Sequence, residues 1–168
     1  AFIRDLVPYL TDRRYVRVDR RPLLVIYNPR AIPDLAATVA VWRDTARGAG
    51  MGELYLAAVS RHAQDDPTAH GFDAAIEFPP IGHSAELVNV KRAITNPEFR
   101  GAIFDYGNLA ADYLLRPRPP FRQFRGVTPM WDNTARRQND SMIVDGASPG
   151  AFGVWLEHAL RQTRLRHD

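Results

Sequence analysis

The sequence contains no cysteine. That single absence excludes disulfides, a thiolate nucleophile and cysteine-ligated zinc. Lysine is almost missing as well: Lys91 stands alone, and every other basic residue apart from histidine is arginine. The arginines are interspersed with 19 acids, leaving a formal net charge of only +3. They gather in two places, Arg13 to Arg21 and Arg116 to Arg125, and prolines 117, 119 and 120 break the second. A nucleic-acid binder concentrates its cations along one face, so no nucleic-acid partner is expected. No stretch of about 18 apolar residues exists to span a membrane. No charged-then-apolar leader is visible either, and a cytoplasmic location is expected. The glycine-rich loops that cradle dinucleotides or ATP are absent, as is the GxSxG elbow of α/β-hydrolases. No cofactor is expected. His62, His70 and His83 lack zinc-site spacing and read as solvated loop residues, so no metal is expected.

What is present is an alternation of apolar runs and amphipathic segments. Phe2, Ile3, Leu6, Val7 and Leu10 have helical spacing. Pro22 to Tyr27 is a continuous apolar run, the pattern of a strand covered on both faces, and Asn28-Pro29 turns it. Asp34 can cap a helix whose stripe is Leu35, Val39, Trp42 and Ala46, ended at Gly48-Ala49-Gly50. Further strands are expected at Glu53–Val59, Phe72–Phe78 and Arg125–Trp131, with a shorter run at Ala102–Tyr106 followed by a helix over Leu109–Leu115. Ser148-Pro149 begins a final helix carrying Phe152, Trp155, Leu156, Ala159, Leu160 and Thr163 on one face. Apolar strands alternating with helices mean parallel βα units. About four are counted in the 168 residues, forming a single segment with no internal domain boundary.

In parallel α/β folds, chemistry gathers at the C-terminal ends of the strands. Tyr27, Asn28 and Arg30 stand at the end of the first strand, and Ser60, Arg61 and His62 at the second. Glu77 ends the third, beside Phe78. Asp105 and Tyr106 end the short run. Trp131, Asp132, Asn133, Thr134 and Arg136 follow the last. Each has a bland reading: Asp132 and Asn133 as turn residues, Trp131 as packing, Glu77 as a partner for a nearby arginine. Together they form the mixture a carbohydrate site needs. An aromatic face stacks on the sugar ring, while amides, carboxylates and guanidiniums satisfy the hydroxyls. Tyr27, Asn28, Arg30, Glu77, Asp105, Tyr106, Trp131, Asp132, Asn133 and Arg136 are the candidate binding residues. Glu77 and Asp132 are the candidate catalytic carboxylates.

The order of segments resembles the WbsX-type glycosyltransferase family, also described as glycoside hydrolase family 99-like. The resemblance rests on RPLLVIYNPRAIPD (Arg21–Asp34), WRDTARGAGMGELYL (Trp42–Leu56), GFDAAIEFPP (Gly71–Pro80), FDYGNLA (Phe104–Ala110), FRGVTPMWDNTARR (Phe124–Arg137) and GAFGVWLEHAL (Gly150–Leu160). It implies a (β/α)8 barrel acting on a glycan or sugar donor, within bacterial surface polysaccharide or lipopolysaccharide assembly. Related hydrolases of that fold cleave α-mannosidic bonds with retention and without a metal, using two acids in an NEWxEG-like motif on the final strand. No such motif occurs here. A barrel takes about 250 residues, so the segment is expected to supply the middle-to-late strands, its sugar-binding surface without the acidic pair. A non-catalytic carbohydrate-binding or scaffold module is the alternative. Exposed sheet edges would favour a homodimer if the segment stands alone.

Overall fold

The computed structural model describes residues 2–61 and 65–164. Its backbone divides into two compact units, one of residues 1–77 with 119–124 and the other of 78–118 with 125–168. His62, one of the strand-end residues singled out above, lies outside the described residues.

The first unit opens with helix α1 (Phe2–Leu10), then a hairpin of β1 (Arg17–Val18) and β2 (Arg21–Ile26). Helix α2 (Leu35–Gly48) begins where Asp34 accepts the Ala37 amide at 3.1 Å, so the sequence-expected cap is real. Strands β3 (Tyr55–Ser60) and β4 (Ala74–Glu77) follow, and β6 (Gln123–Phe124) returns to the same sheet. The order is β1-β2-β3-β4-β6, with β2, β3, β4 and β6 parallel. β3 is buried along its whole length because both of its faces are covered. Leu54, Leu56 and Ala58 pack with Ile3, Leu10, Val39 and Ala46 of the helices. Tyr55 and Ala57 turn the other way, toward Leu23, Ala74 and Phe124. Each fully buried leucine contributes roughly 1.5–3 kcal/mol. β2 departs from the expected two-sided burial: Val25 is exposed, while Leu24 is covered.

At the N-terminal ends of these strands Asp73 ties the sheet together. Its carboxylate takes Arg21 at 2.7 Å, Arg43 at 2.8 Å and the Leu56 amide at 2.8 Å. Arg43 also reaches the Leu54 and Gly71 carbonyls. The polar girdle thus sits at the bottom of the sheet, leaving the top to other work.

In the second unit β5 (Ala102–Asp105) runs directly into α3 (Tyr106–Leu115), with Asp105 capping the helix by accepting the Asn108 amide at 3.0 Å. A strand the sequence reading did not foresee, β8 (Met142–Asp145), pairs parallel with β5. On its other side lies β7 (Trp131–Asp132), antiparallel and two residues long. The expected strand over 125–131 is therefore corrected: residues 125–130 join no ladder. Gly126 and Pro129 explain this, since proline brings no amide donor and glycine no packing side chain. The Thr128 carbonyl instead accepts the Tyr106 hydroxyl at 2.7 Å. A short helix α4 (Thr134–Arg137) and the closing helix α5 (Pro149–Arg164) complete the unit. Ser148 caps α5 as expected, accepting the Ala151 amide. Tyr106, Leu109, Tyr113 and Trp155 form the core.

The fold is thus mixed α/β with parallel strands and helices. The strands lie in two sheets, and no closed barrel forms among the described residues. No helix is long and apolar enough to cross a membrane.

Candidate functional site

In the first unit a cleft of about 290 Å³ opens at the C-terminal ends of β2 and β3. Tyr27, Asn28 and Arg30, three residues singled out from sequence, stand together on its wall. β2 delivers Tyr27 as its next residue, and the Asn28-Pro29 turn swings Arg30 in behind it. Tyr27 keeps 55% of its surface exposed, and the Arg61 guanidinium lies 5.9 Å from its ring centre. Ser60 and Arg61, the last residue of β3 and its successor, form part of the floor.

The opposite wall was not legible as a site. Asp65, Asp66 and His70 come from the loop after β3. Arg30 pairs with Asp65 at 2.7 Å. Asp66 accepts both the amide and the hydroxyl of Thr68, at 2.8 and 2.6 Å, which fixes the short turn that carries His70. No sequence pattern announces this wall, because tertiary folding alone brings the loop across the strand ends. Among the described residues the lining combines the Tyr27 and Phe72 rings, the His70 imidazole, an amide, two guanidiniums and two carboxylates. That set can stack on a sugar ring and both donate to and accept from its hydroxyls.

Glu77 ends β4 in register with Ser60 and is only 6% exposed. A carboxylate this deep at a strand end is the feature that sets it apart from the other acids of the first unit.

The remaining candidates fall in the second unit. Tyr106 belongs to the core: it is 1% exposed, and its ring meets Trp155 edge-on at 5.7 Å. Trp131 packs against that same core and stands edge-on to Phe78 at 6.4 Å. Asn133 is bound to the backbone, its side-chain oxygen accepting the Met142 amide at 2.8 Å. Asp132 caps the turn into α4 by accepting the Thr134 amide at 2.8 Å. Arg136 is exposed on α4. Asp105 has company that sequence reasoning missed. It is the register partner of Asp145 on the neighbouring parallel strand, and Arg92 reaches both, at 3.5 Å from Asp105 and in a direct hydrogen bond to Asp145. Arg92 lies in an irregular loop and Asp145 on the unforeseen β8, so neither carried a signal.

Two titratable groups of the second unit are perturbed. Burial pushes the His83 imidazole below its usual value, consistent with its edge contact on Phe104 at 4.3 Å. For Asp112, burial raises the carboxyl, but the hydrogen bonds from Ser84 and Arg116 outweigh it and leave the group below the ordinary carboxylate range. Among the described residues no three histidine, aspartate or glutamate side chains converge to hold a metal.

The family model described as glycosyltransferase WbsX matches residues 1–168. The chain is 38% identical over 161 residues to the protein WxcX of Xanthomonas campestris pv. campestris strain B100, an alignment covering 96% of this chain and 23% of that protein. WxcX of strain ATCC 33913 matches with the same identity and coverage. The chain thus spans about a quarter of the length of the curated relatives it matches. No solved structure matches it.

Proposed function

The chain belongs to the WbsX glycosyltransferase family, and from that membership we propose that it supplies sugar-binding surface to a carbohydrate-active enzyme of bacterial surface polysaccharide or lipopolysaccharide assembly, working in the cytoplasm. The observation that carries the reading is the cleft above β2 and β3, where the strand-end residues Tyr27, Asn28 and Arg30 converge. Tyr27 stacks on a sugar ring. Asn28, Arg30 and Asp65 hold hydroxyls. In the whole protein the β2-β3-β4-β6 sheet is an arc of a (β/α)8 barrel, which is supported by its parallel order and by strand ends that carry the polar residues.

Transfer and hydrolysis at a sugar carbon both call for positioned carboxylates. Glu77 is the stronger of the two candidates for such a role, because it is buried at a strand end while Asp132 is exposed and spent on a turn. The second reading is a non-catalytic glycan-binding or scaffold module, which a full-length protein that also lacks the acidic NEWxEG-like pair of the related hydrolases, or one that binds sugar without turnover, would favour.

Tyr27→Ala in the full-length protein tests the site. Glycan binding, read by ligand-observed NMR, is expected to fall roughly two- to tenfold, since stacking on an aromatic ring contributes on the order of 0.5–1.5 kcal/mol. Unfolding should be unaltered, because the side chain is half exposed. Unchanged binding removes the cleft from the function. Turnover of a glycan lost in Glu77→Gln with binding retained selects the enzyme over the module.

A further inference from the structure

The chain that leaves β4 at Glu77 continues into the second unit as a strap, and four consecutive residues tie it down. The Tyr113 hydroxyl donates to the Ile81 carbonyl, and Arg116 donates to the Gly82 carbonyl at 2.7 Å. The Ser84 hydroxyl donates to Asp112, which Arg116 holds in turn at 2.6 Å. Between these ties the His83 ring stands edge-on to Phe104 of β5, with 4.3 Å between ring centres. Three of the four ties are thus hydrogen bonds to α3, and the fourth is aromatic packing. The packing ring is a histidine whose Nδ1 is buried and meets no hydrogen-bond partner among the described residues. A phenylalanine would pack there without orphaning a buried polar atom, which is unfavourable. What the histidine adds is a charge that can be switched on.

We propose that His83 is a proton-operated latch: with a neutral imidazole the strap of residues 81–84 lies closed on α3 and β5, and protonation releases it. The surroundings favour release over rescue. An imidazolium carries an N–H on both ring nitrogens, and Nδ1 has no acceptor within the closed strap. From α3 the charged groups facing the ring are Asp112 and Arg116. They are paired with each other, so their effects on the ring oppose, and the Asp112 oxygens are already engaged by Arg116 and Ser84. Asp105, next to Phe104 on β5, is turned to the Asn108 amide and to Arg92. Glu86, further along the strap, is exposed. Burial accordingly holds the imidazole below its ordinary value. Once the strap opens, the ring ionises near the ordinary value of about 6.5. The open form therefore takes up a proton that the closed form refuses. Closure is undiminished above about pH 6.5 and weakens as pH falls from there toward the folded value, by up to about tenfold per pH unit. The latch confines the closed form of the segment after Glu77 to neutral and alkaline conditions, and it stands apart from the sugar-site reading.

The test is hydrogen–deuterium exchange of the full-length protein, followed by mass spectrometry between about pH 8 and pH 5 and corrected for the intrinsic pH dependence of amide exchange. Peptides covering residues 81–86 are expected to lose up to about tenfold in protection between about pH 6.5 and 5.5, while those of β3 and β8 keep theirs. In His83→Phe and His83→Gln, both uncharged at every pH, the same peptides should keep constant protection over the whole range. Protection of the strap that stays constant in the wild type overturns the proposal. An equal fall in the variants also overturns it, since another group would then be responsible. A loss shared by β3 and β8 is overall acid unfolding and overturns it as well. The wild-type profile decides even where a variant does not fold: release by a histidine begins near pH 6.5, whereas release by a carboxylate such as Asp112 begins only below about pH 5.

Discussion

Replacing Asp73 by alanine should unfasten the first sheet. The carboxylate is about one-fifth exposed, as is Arg43, and Arg21 is somewhat more open. Deletion strands two guanidiniums and the Leu56 amide at the start of β3. An orphaned buried amide alone costs about 1–3 kcal/mol, and breaking a fully buried ion pair about 3–5 kcal/mol. Partial exposure reduces the second figure, and Arg43 keeps its bonds to the Leu54 and Gly71 carbonyls. A loss of about 3 kcal/mol is therefore expected at neutral pH, read as a lower urea midpoint. Asn in place of Asp should cost less, about half as much, because its carbonyl oxygen can still accept the Leu56 amide. The pH dependence carries the sharper test. Burial raises the Asp73 carboxyl, and the Leu56 amide with the Arg43 and Arg21 hydrogen bonds outweighs that, so the folded value lies below the ordinary one. The unfolded chain then binds the proton more readily, and stability rises with pH through this window. The contribution is fully present above about pH 5, since the unfolded carboxyl titrates near 3.9, and it fades as pH falls through the folded value. The gap between wild type and Asp73→Ala should narrow below about pH 4. A gap under about 0.5 kcal/mol at pH 7, or one that stays constant down to pH 3, would refute the reasoning.

Gly101→Ala should cost about 3 kcal/mol or more, because the added carbon would sit 2.2 Å from the Ser141 carbonyl oxygen and 2.6 Å from the Phe99 ring; a soluble variant with an unchanged urea midpoint would contradict that. Trp131→Ala is expected to lower stability by about 2–3 kcal/mol, given its packing on the second core; unfolding that is unchanged while glycan binding is lost would return Trp131 to the sugar-stacking role its sequence position suggested. Trp155→Ala, at a fully buried position, should cost more still, about 3–5 kcal/mol, in the same assay.

The parts of the fold legible in the sequence were those with a local signature. The stripe of α2 and its Asp34 cap, the Ser148-Pro149 start of α5, and the apolar runs of β2 and β3 each announce themselves within about a dozen residues. β8 did not. Its apolar run is only Met142-Ile143-Val144, and its parallel partner β5 lies some 40 residues earlier, so nothing nearby marks it. The segment 125–131 erred in the other direction. Its apolar residues suggested a ladder, yet it is held by single bonds such as Tyr106 to the Thr128 carbonyl. The site divides along the same line. Tyr27, Asn28 and Arg30 follow directly from where a strand ends. Asp65, Asp66 and His70 face them only because a loop is pinned by its own turn, and Arg92 joins Asp105 to Asp145 only once two distant strands have paired. Tyr106 shows the limit of strand-end logic: the residue after β5 opens a helix and points its ring into the core.

The return of residues 119–124 to the first unit has a bearing on how the chain is made. β4 ends at Glu77, and the strand that lies against its free side, β6, begins at Gln123. On a ribosome adding about 5–20 residues per second, that side of β4 waits roughly two to nine seconds for its partner. During the interval the nascent polypeptide presents an unsatisfied row of main-chain donors and acceptors, a docking strip for chaperones or for a neighbouring copy on the same message. Slowing translation across the intervening stretch should therefore lower the yield of folded protein without altering a single amino acid.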